Sequence, residues 1–123
     1  MSLTVYPYLR NPADGTLTEI EAAIDPNFTD LFGLESWRYK VWGATALKGI
    51  GCELLYSLKK TDLYAEEEDL YQLEKELIKV LSQAAAFSTI LKVDEQSLAN
   101  RIKNALAAID VAKKYKNGGV CIG

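Results

Sequence analysis

The stretch Leu63–Leu91 constrains this chain most, because its apolar residues recur in steps of three and four. One series of sevens takes Leu63, Leu70, Leu77, Ala84 and Leu91, and the interleaved series takes Glu66, Leu73, Val80 and Phe87. Only Glu66 departs from the apolar pattern. That period matches one face of an α-helix, whereas a strand repeats every second residue. Leu, Glu, Lys, Gln and Ala dominate, and neither Gly nor Pro interrupts, so intrinsic propensity agrees. The spacing predicts a continuous helix over 62–92, roughly 40 Å long, packed at a shallow angle along its neighbours.

The stretch has two unlike halves. From Thr61 to Lys79 there are seven acids against two lysines, and from Val80 to Leu91 there is no charge. The first half predicts a wet, negative outer face, and the second predicts burial on several sides. Twelve such residues are too few to span a bilayer, which needs about 20. The acidic flanks Asp62, Glu67, Asp69, Glu74 and Glu76 oppose a parallel self-paired coiled coil. Helices bearing Arg38, Lys40, Lys48, Arg101 and Lys103 are better neighbours, which favours packing within one chain.

The remaining segments are read around that helix. Residues 34–60 place Leu34, Trp37, Val41, Ala44, Leu47, Gly51, Leu54 and Leu58 on one helical stripe. Glycines 43, 49 and 51 disturb it, each costing roughly 1 kcal/mol against Ala inside a helix. They predict close helix approach over Gly43, Ala44 and Ala46 and a kink or break at Gly49-Ile50-Gly51. Thr61 or Asp62 is then the cap of the central helix. Asp94 reads as the N-cap of a third helix over 94–117, stopped by Asn117-Gly118-Gly119. Residues 118–123 are an apolar tail, frayed or tucked into a groove.

Residues 1–33 are an irregular N-terminal cover. Val5–Leu9 is extended in character, since Pro7 biases Tyr6 away from the helical region. Asn11–Gly15 is turn chemistry. Thr16-Leu-Thr-Glu19 reads as a capping box before a short helix over 20–24, and Asp25-Pro26 as a second start for a turn or helix ending at Gly33. The cover packs through Tyr6, Tyr8, Ile20, Ile24, Phe28 and Phe32. The expected fold is all-α: one domain, an antiparallel bundle of three long helices, with one or two short helices in the cover.

Composition bounds the chemistry. The 123 residues are 49% hydrophobic and 25% charged, ordinary for a globular domain. A net charge of −3 disfavours nucleic acid as a partner. Histidine is absent, which removes the commonest general base and metal ligand. Cys52 and Cys121, without a basic, apolar leader at the start, read as free thiols in a reducing cytoplasm.

Three constellations remain. Glu66 and Asp69 lie three residues apart on one face of the expected helix, with Glu53 able to approach from the helix before it. Carboxylates on antiparallel helices are how all-α magnesium-dependent nucleotide pyrophosphohydrolases hold their metal ions, but a second acid pair is missing here. Lys48-Gly49-Ile50-Gly51 could offer backbone N–H groups to an anion, without any P-loop spacing. Trp37-Arg38-Tyr39-Lys40-Val41-Trp42 interleaves aromatic and basic residues, yet on an α-helix the two Trp stand about 140° apart and form no stacking platform.

The leading expectation is therefore a non-enzymatic protein, regulatory or adaptor-like, acting through a protein partner or as a homodimer. It needs no cofactor, nucleic acid or membrane. Interface or pocket candidates are Trp37, Trp42, Tyr56, Val80, Phe87 and Leu91. The alternatives are a small-molecule-binding bundle and a hydrolase holding metal through Glu53, Glu66 and Asp69.

Overall fold

The segment Ser2–Arg10 alternates: Leu3, Val5 and Pro7 are buried, while Thr4 and Tyr6 between them are partly exposed. That is the period of a strand. In the computed structural model, which describes residues 2–21 and 26–123, this strand, β1, is the spine of a five-stranded antiparallel sheet. Strands β2 (Leu17–Glu19) and β3 (Leu31–Leu34) pair with its two halves along one edge. Strand β5 (Gly118–Ile122) pairs along the other edge, and β4 (Leu63–Glu66) lies outside β5. The expected all-α bundle is thus overturned by a mixed α/β fold, in which the helices pack on a sheet.

Pro7 fits this central strand because of hydrogen-bond parity. Thr4 and Arg10 donate to Gly123 and Asn117 on the β5 side (2.9 and 3.0 Å). Val5 donates to Asp30 on the opposite side, where the Pro7 carbonyl accepts from Ile20. The missing N–H of Pro7 therefore falls where that edge passes from β3 to β2, and the β1–β5 ladder is intact.

The expected long helices break where side chains or backbone demand it. Leu63–Glu66 is a strand because Leu63 and Ala65 point inward and Tyr64 and Glu66 outward. Four residues of that alternation hide inside the heptad count. Glu67, at φ 53° and ψ −124°, turns the chain into helix α3 (Glu68–Ser82), and Gln83 separates α3 from α4 (Ala84–Leu91). Thr61 and Asp62 lie before β4 and cap no helix; Asp62 pairs instead with Arg38. The heptad residues Leu70, Leu73, Leu77, Val80 and Phe87 still face the core.

Residues 34–60 divide further. After β3, Arg38–Trp42 forms a single π-helical turn, closed by the Gly43 N–H donating to the Arg38 carbonyl at 2.8 Å. Two short helices follow, α1 (Thr45–Gly49) and α2 (Glu53–Ser57). Gly43 is required, since a Cβ there would stand 2.3 Å from the Arg38 carbonyl oxygen and 2.6 Å from Lys59 Cβ. The wide turn also corrects the Trp geometry, because a π turn brings residues five apart onto one side. Trp37 and Trp42 lie 5.8 Å apart, Trp42 stacks on Phe32 at 4.2 Å, and its Nε1 donates to the Phe32 carbonyl.

The third helix, α5 (Glu95–Ala112), begins as the sequence implies, with the Asp94 carboxylate accepting from the Ser97 N–H at 2.8 Å. It ends five residues early, and the apolar tail is the buried strand β5. Gly118 permits this return, since a Cβ there would lie 2.1 Å from the Ala112 carbonyl oxygen. In the N-terminal segment the Asn11–Gly15 turn stands, with Gly15 at φ 75°. The capping box at 16–19 and the helix or turn ending at Gly33 give way to β2 and β3, since pairing with β1 supplies bonds that a one-turn helix could not. The helix expected over 20–24 and the cap at Asp25 lie largely outside the described residues.

Two rows, Val5–Ile122–Leu63 and Pro7–Val120–Ala65, form the sheet face under the helices. Across the helical layer, α3 sends Glu76 to the start of α2. Its carboxylate, 1% exposed, accepts from the backbone N–H groups of Leu54 and Leu55 at 3.2 and 3.0 Å and from Gln72. It caps a helix that has no side-chain cap of its own. Glu76→Ala is expected to lower the unfolding free energy by about 1–3 kcal/mol, the cost of stranding buried donors. Glu76→Gln should lose less. Urea midpoints at constant m check the order.

Candidate functional site

The sheet face away from the helices carries the rows Tyr6–Cys121–Tyr64 and Tyr8–Gly119–Glu66. Because the central strand contributes only Gly119 and Cys121 here, tyrosines from the flanking strands fold over it. A Cβ on Gly119 would come within 2.7 Å of the Tyr8 ring. The Tyr8 hydroxyl donates to Glu66 at 2.7 Å, and Arg10 grips the same carboxylate through Nε and Nη2, both at 2.7 Å. Arg10 also donates to the Gly15 carbonyl, tying the 11–15 turn to the sheet.

This network is structural in character. The Arg10 hydrogen bonds hold Glu66 below the usual carboxylate range, while burial and the bond to Glu66 raise Tyr8. Neither group titrates near neutrality, where a general acid or base works best. Tyr6 is pushed up to about 12, chiefly by its hydrogen bond to Cys121. Burial raises both thiols, Cys52 to about 11, so neither is an activated nucleophile.

The carboxylates proposed for metal binding do not converge. Glu66 is committed to Arg10 and Tyr8 on β4, whereas Asp69 and Glu53 lie in the first turns of α3 and α2. Among the described residues no three acids or cysteines are placed to hold an ion. Glu76, not Glu53, links α3 to α2. The Lys48–Gly51 stretch offers no anion cradle either: Ile50 and Gly51 donate to Leu47 and Lys48, and Lys79 donates to the Ile50 carbonyl.

The aromatic and apolar candidates are mostly core. Trp42 and Val80 are fully buried, and Trp37, Phe87 and Leu91 nearly so. Tyr56 is half-buried, its ring under the ammonium groups of Lys48 and Lys59 at 5.0 and 5.6 Å. Trp37 and Tyr56 line separate hollows, so the sequence candidates share no single pocket.

What the uncharged stretch offers the solvent is its other face. With Phe87 and Leu91 directed inward, Ala85, Ala86, Thr89 and Ile90 point out from α4, with Ile90 60% exposed. Ser82 and Gln83 extend this face, and Ile78, 51% exposed, stands on the preceding helix. The interface candidates Val80, Phe87 and Leu91 lie on the inward side of this stretch. Their heptad spacing marks the inside, and the residues between Phe87 and Leu91 are the more exposed ones.

No helix among the described residues is long and apolar enough to cross a membrane. Comparisons with family models, curated proteins and solved structures returned no match.

Because the folded state lowers the proton affinity of Glu66, its stabilising contribution is complete above about pH 4.3, the unfolded value. It is lost as pH falls through the lower folded value. Unfolding free energy in urea, followed down to about pH 2, should therefore fall more steeply for the native sequence than for Glu66→Gln. Equal slopes would remove Glu66 from the acid response.

Proposed function

We propose that this protein is a non-enzymatic module acting through protein–protein contact, with the outward face of α4 as its docking surface and a second copy as its simplest partner. The observation that carries this reading is the absence of charge from Val80 to Leu91 on a helix that leaves Ala85, Ala86 and Ile90 in water. Interface centres are depleted in charge and ringed by polar groups. Here Lys79 and Lys92 flank the uncharged stretch.

Small side chains at 85 and 86 admit close approach of a second helix, and a two-fold axis through them would place Ile90 of each copy against its partner. An eight-residue helix is only about 12 Å long. A stable contact of about 800 Å² per side therefore has to extend onto the end of α3, where Ile78 supplies apolar surface. The committed state of Glu66, Tyr8 and both thiols supports a role without catalysis. Two buried free thiols, Cys52 and Cys121, suit a reducing cytoplasm.

Light scattering coupled to gel filtration is expected to give a concentration-dependent dimer. Ile90→Glu and Ala86→Glu, both at exposed sites, should each weaken association by about tenfold or more through a desolvated charge. Their melting temperatures as monomers should be unchanged. A strict monomer at high concentration, or a dimer indifferent to both substitutions, would overturn the self-association reading.

A further inference from the structure

The chain has three arginines, and two of them are engaged with carboxylates: Arg10 with Glu66, and Arg38 with Glu35 and Asp62. Arg101 is different. Among the described residues it joins no ion pair, and its Nε is buried without a hydrogen-bond partner. That N–H is closed to solvent and so to any ligand, and stranding it is costly. The terminal nitrogens of the guanidinium, which join no ion pair among the described residues either, are the donors a ligand could reach.

The surroundings of Arg101 suggest what those terminal nitrogens could meet. It lines a hollow of about 290 Å³ between the start of α5 and strand β3, together with Leu31, Leu34, Trp37, Ser2 and Ser97. The indole wall is fixed, because Trp37 lies against Gly33, where a Cβ would meet the ring at 2.5 Å and φ is +103°. The strand wall is fixed as well. Asn104 accepts from the Thr29 N–H at 3.0 Å and donates to the Leu31 carbonyl at 2.8 Å. With those bonds made, the Asn104 carboxamide is committed to the wall and leaves Arg101 unanswered.

We propose that this hollow binds a small organic acid, its carboxylate received by the terminal nitrogens of Arg101 and its apolar body lying against Trp37, Leu31 and Leu34. A planar guanidinium matches a carboxylate in shape and in hydrogen-bond number. Among the described residues the lining holds no acidic residue to compete and no second cation, so one negative charge is answered there and a phosphate dianion is not. A volume of about 290 Å³ lies at the small end of ligand pockets. This site shares no residue with the α4 face and stands or falls independently of it.

The test uses the full chain and tryptophan fluorescence, since Trp37 forms a wall of the hollow. The probes are 3-phenylpropionate, its uncharged amide, and inorganic phosphate. The acid is expected to give a saturable change and to raise the melting temperature. The amide should bind about tenfold more weakly or worse, and phosphate should give no response. Arg101→Met should lose binding of the acid about tenfold or more while keeping or raising the melting temperature, because it removes an unanswered donor; a merely structural arginine would lower it. Should Arg101→Met fold poorly, Leu34→Asp, at a strand position 58% exposed, puts a competing carboxylate at the rim and should weaken binding comparably. Equal affinity for acid and amide, unchanged binding in both variants, or phosphate binding as tightly as the acid would each overturn the proposal.

Discussion

Everything in this fold depends on one long-range pairing, that of Ser2–Arg10 with Gly118–Ile122. The two strands lie at the centre of the sheet, and β4 reaches the rest of it only through β5. Closing a loop of this length costs entropy before any contact rewards it. The reward comes where the ladder aligns the apolar rows Val5–Ile122–Leu63 and Pro7–Val120–Ala65 against the helices. Such non-local order is characteristic of slow-folding topologies. It also explains the two glycines that open β5: Gly118 lies against the Ala112 carbonyl, and Gly119 lies beneath Tyr8.

Around that ladder, charged side chains act as ties between elements distant in sequence. Glu66 joins β4 to β1 and, through Arg10, to the 11–15 turn. Glu76 joins α3 to α2, and Lys113 joins the end of α5 to Glu74. Of the acids behind the metal and hydrolase reading, Glu66 is used in such a cross-brace, while Glu53 and Asp69 lie apart in the first turns of α2 and α3. Arg101 stands outside the pattern, which is why it draws attention.

The sequence revealed inward faces better than it revealed elements. The heptad residues of 70–91 other than Ala84, and the α5 stripe Leu98, Ile102, Ala105, Ile109 and Ala112, are buried at helical spacing, with Ala84 and Leu106 partly buried against them. Asp94 caps its helix as its side chain predicts. Strands were missed because they are short and their evidence is remote. Leu63–Glu66 carries only two inward residues, Leu63 and Ala65, and Leu63 also falls on the helical repeat. Gly118–Ile122 shows no alternation because both of its faces are buried. Gly49-Ile50-Gly51 announced a real break, the gap between α1 and α2, whereas Gly43, read as a point of close helix approach, closes a π turn that nothing local announced. The partnerless state of Arg101 could not be read from any spacing, since it depends on where β3 lies relative to α5.

The Arg38 guanidinium carries a further consequence. It donates to Glu35 and Asp62 and to the carbonyls of Leu58 and Thr61, so it closes residues 35–62 into a ring without any covalent bond. The helices inside that ring are five residues each, too short to persist alone. Their amide protons should therefore exchange with solvent as a group, at one common rate set by release of a single side chain, instead of fraying turn by turn.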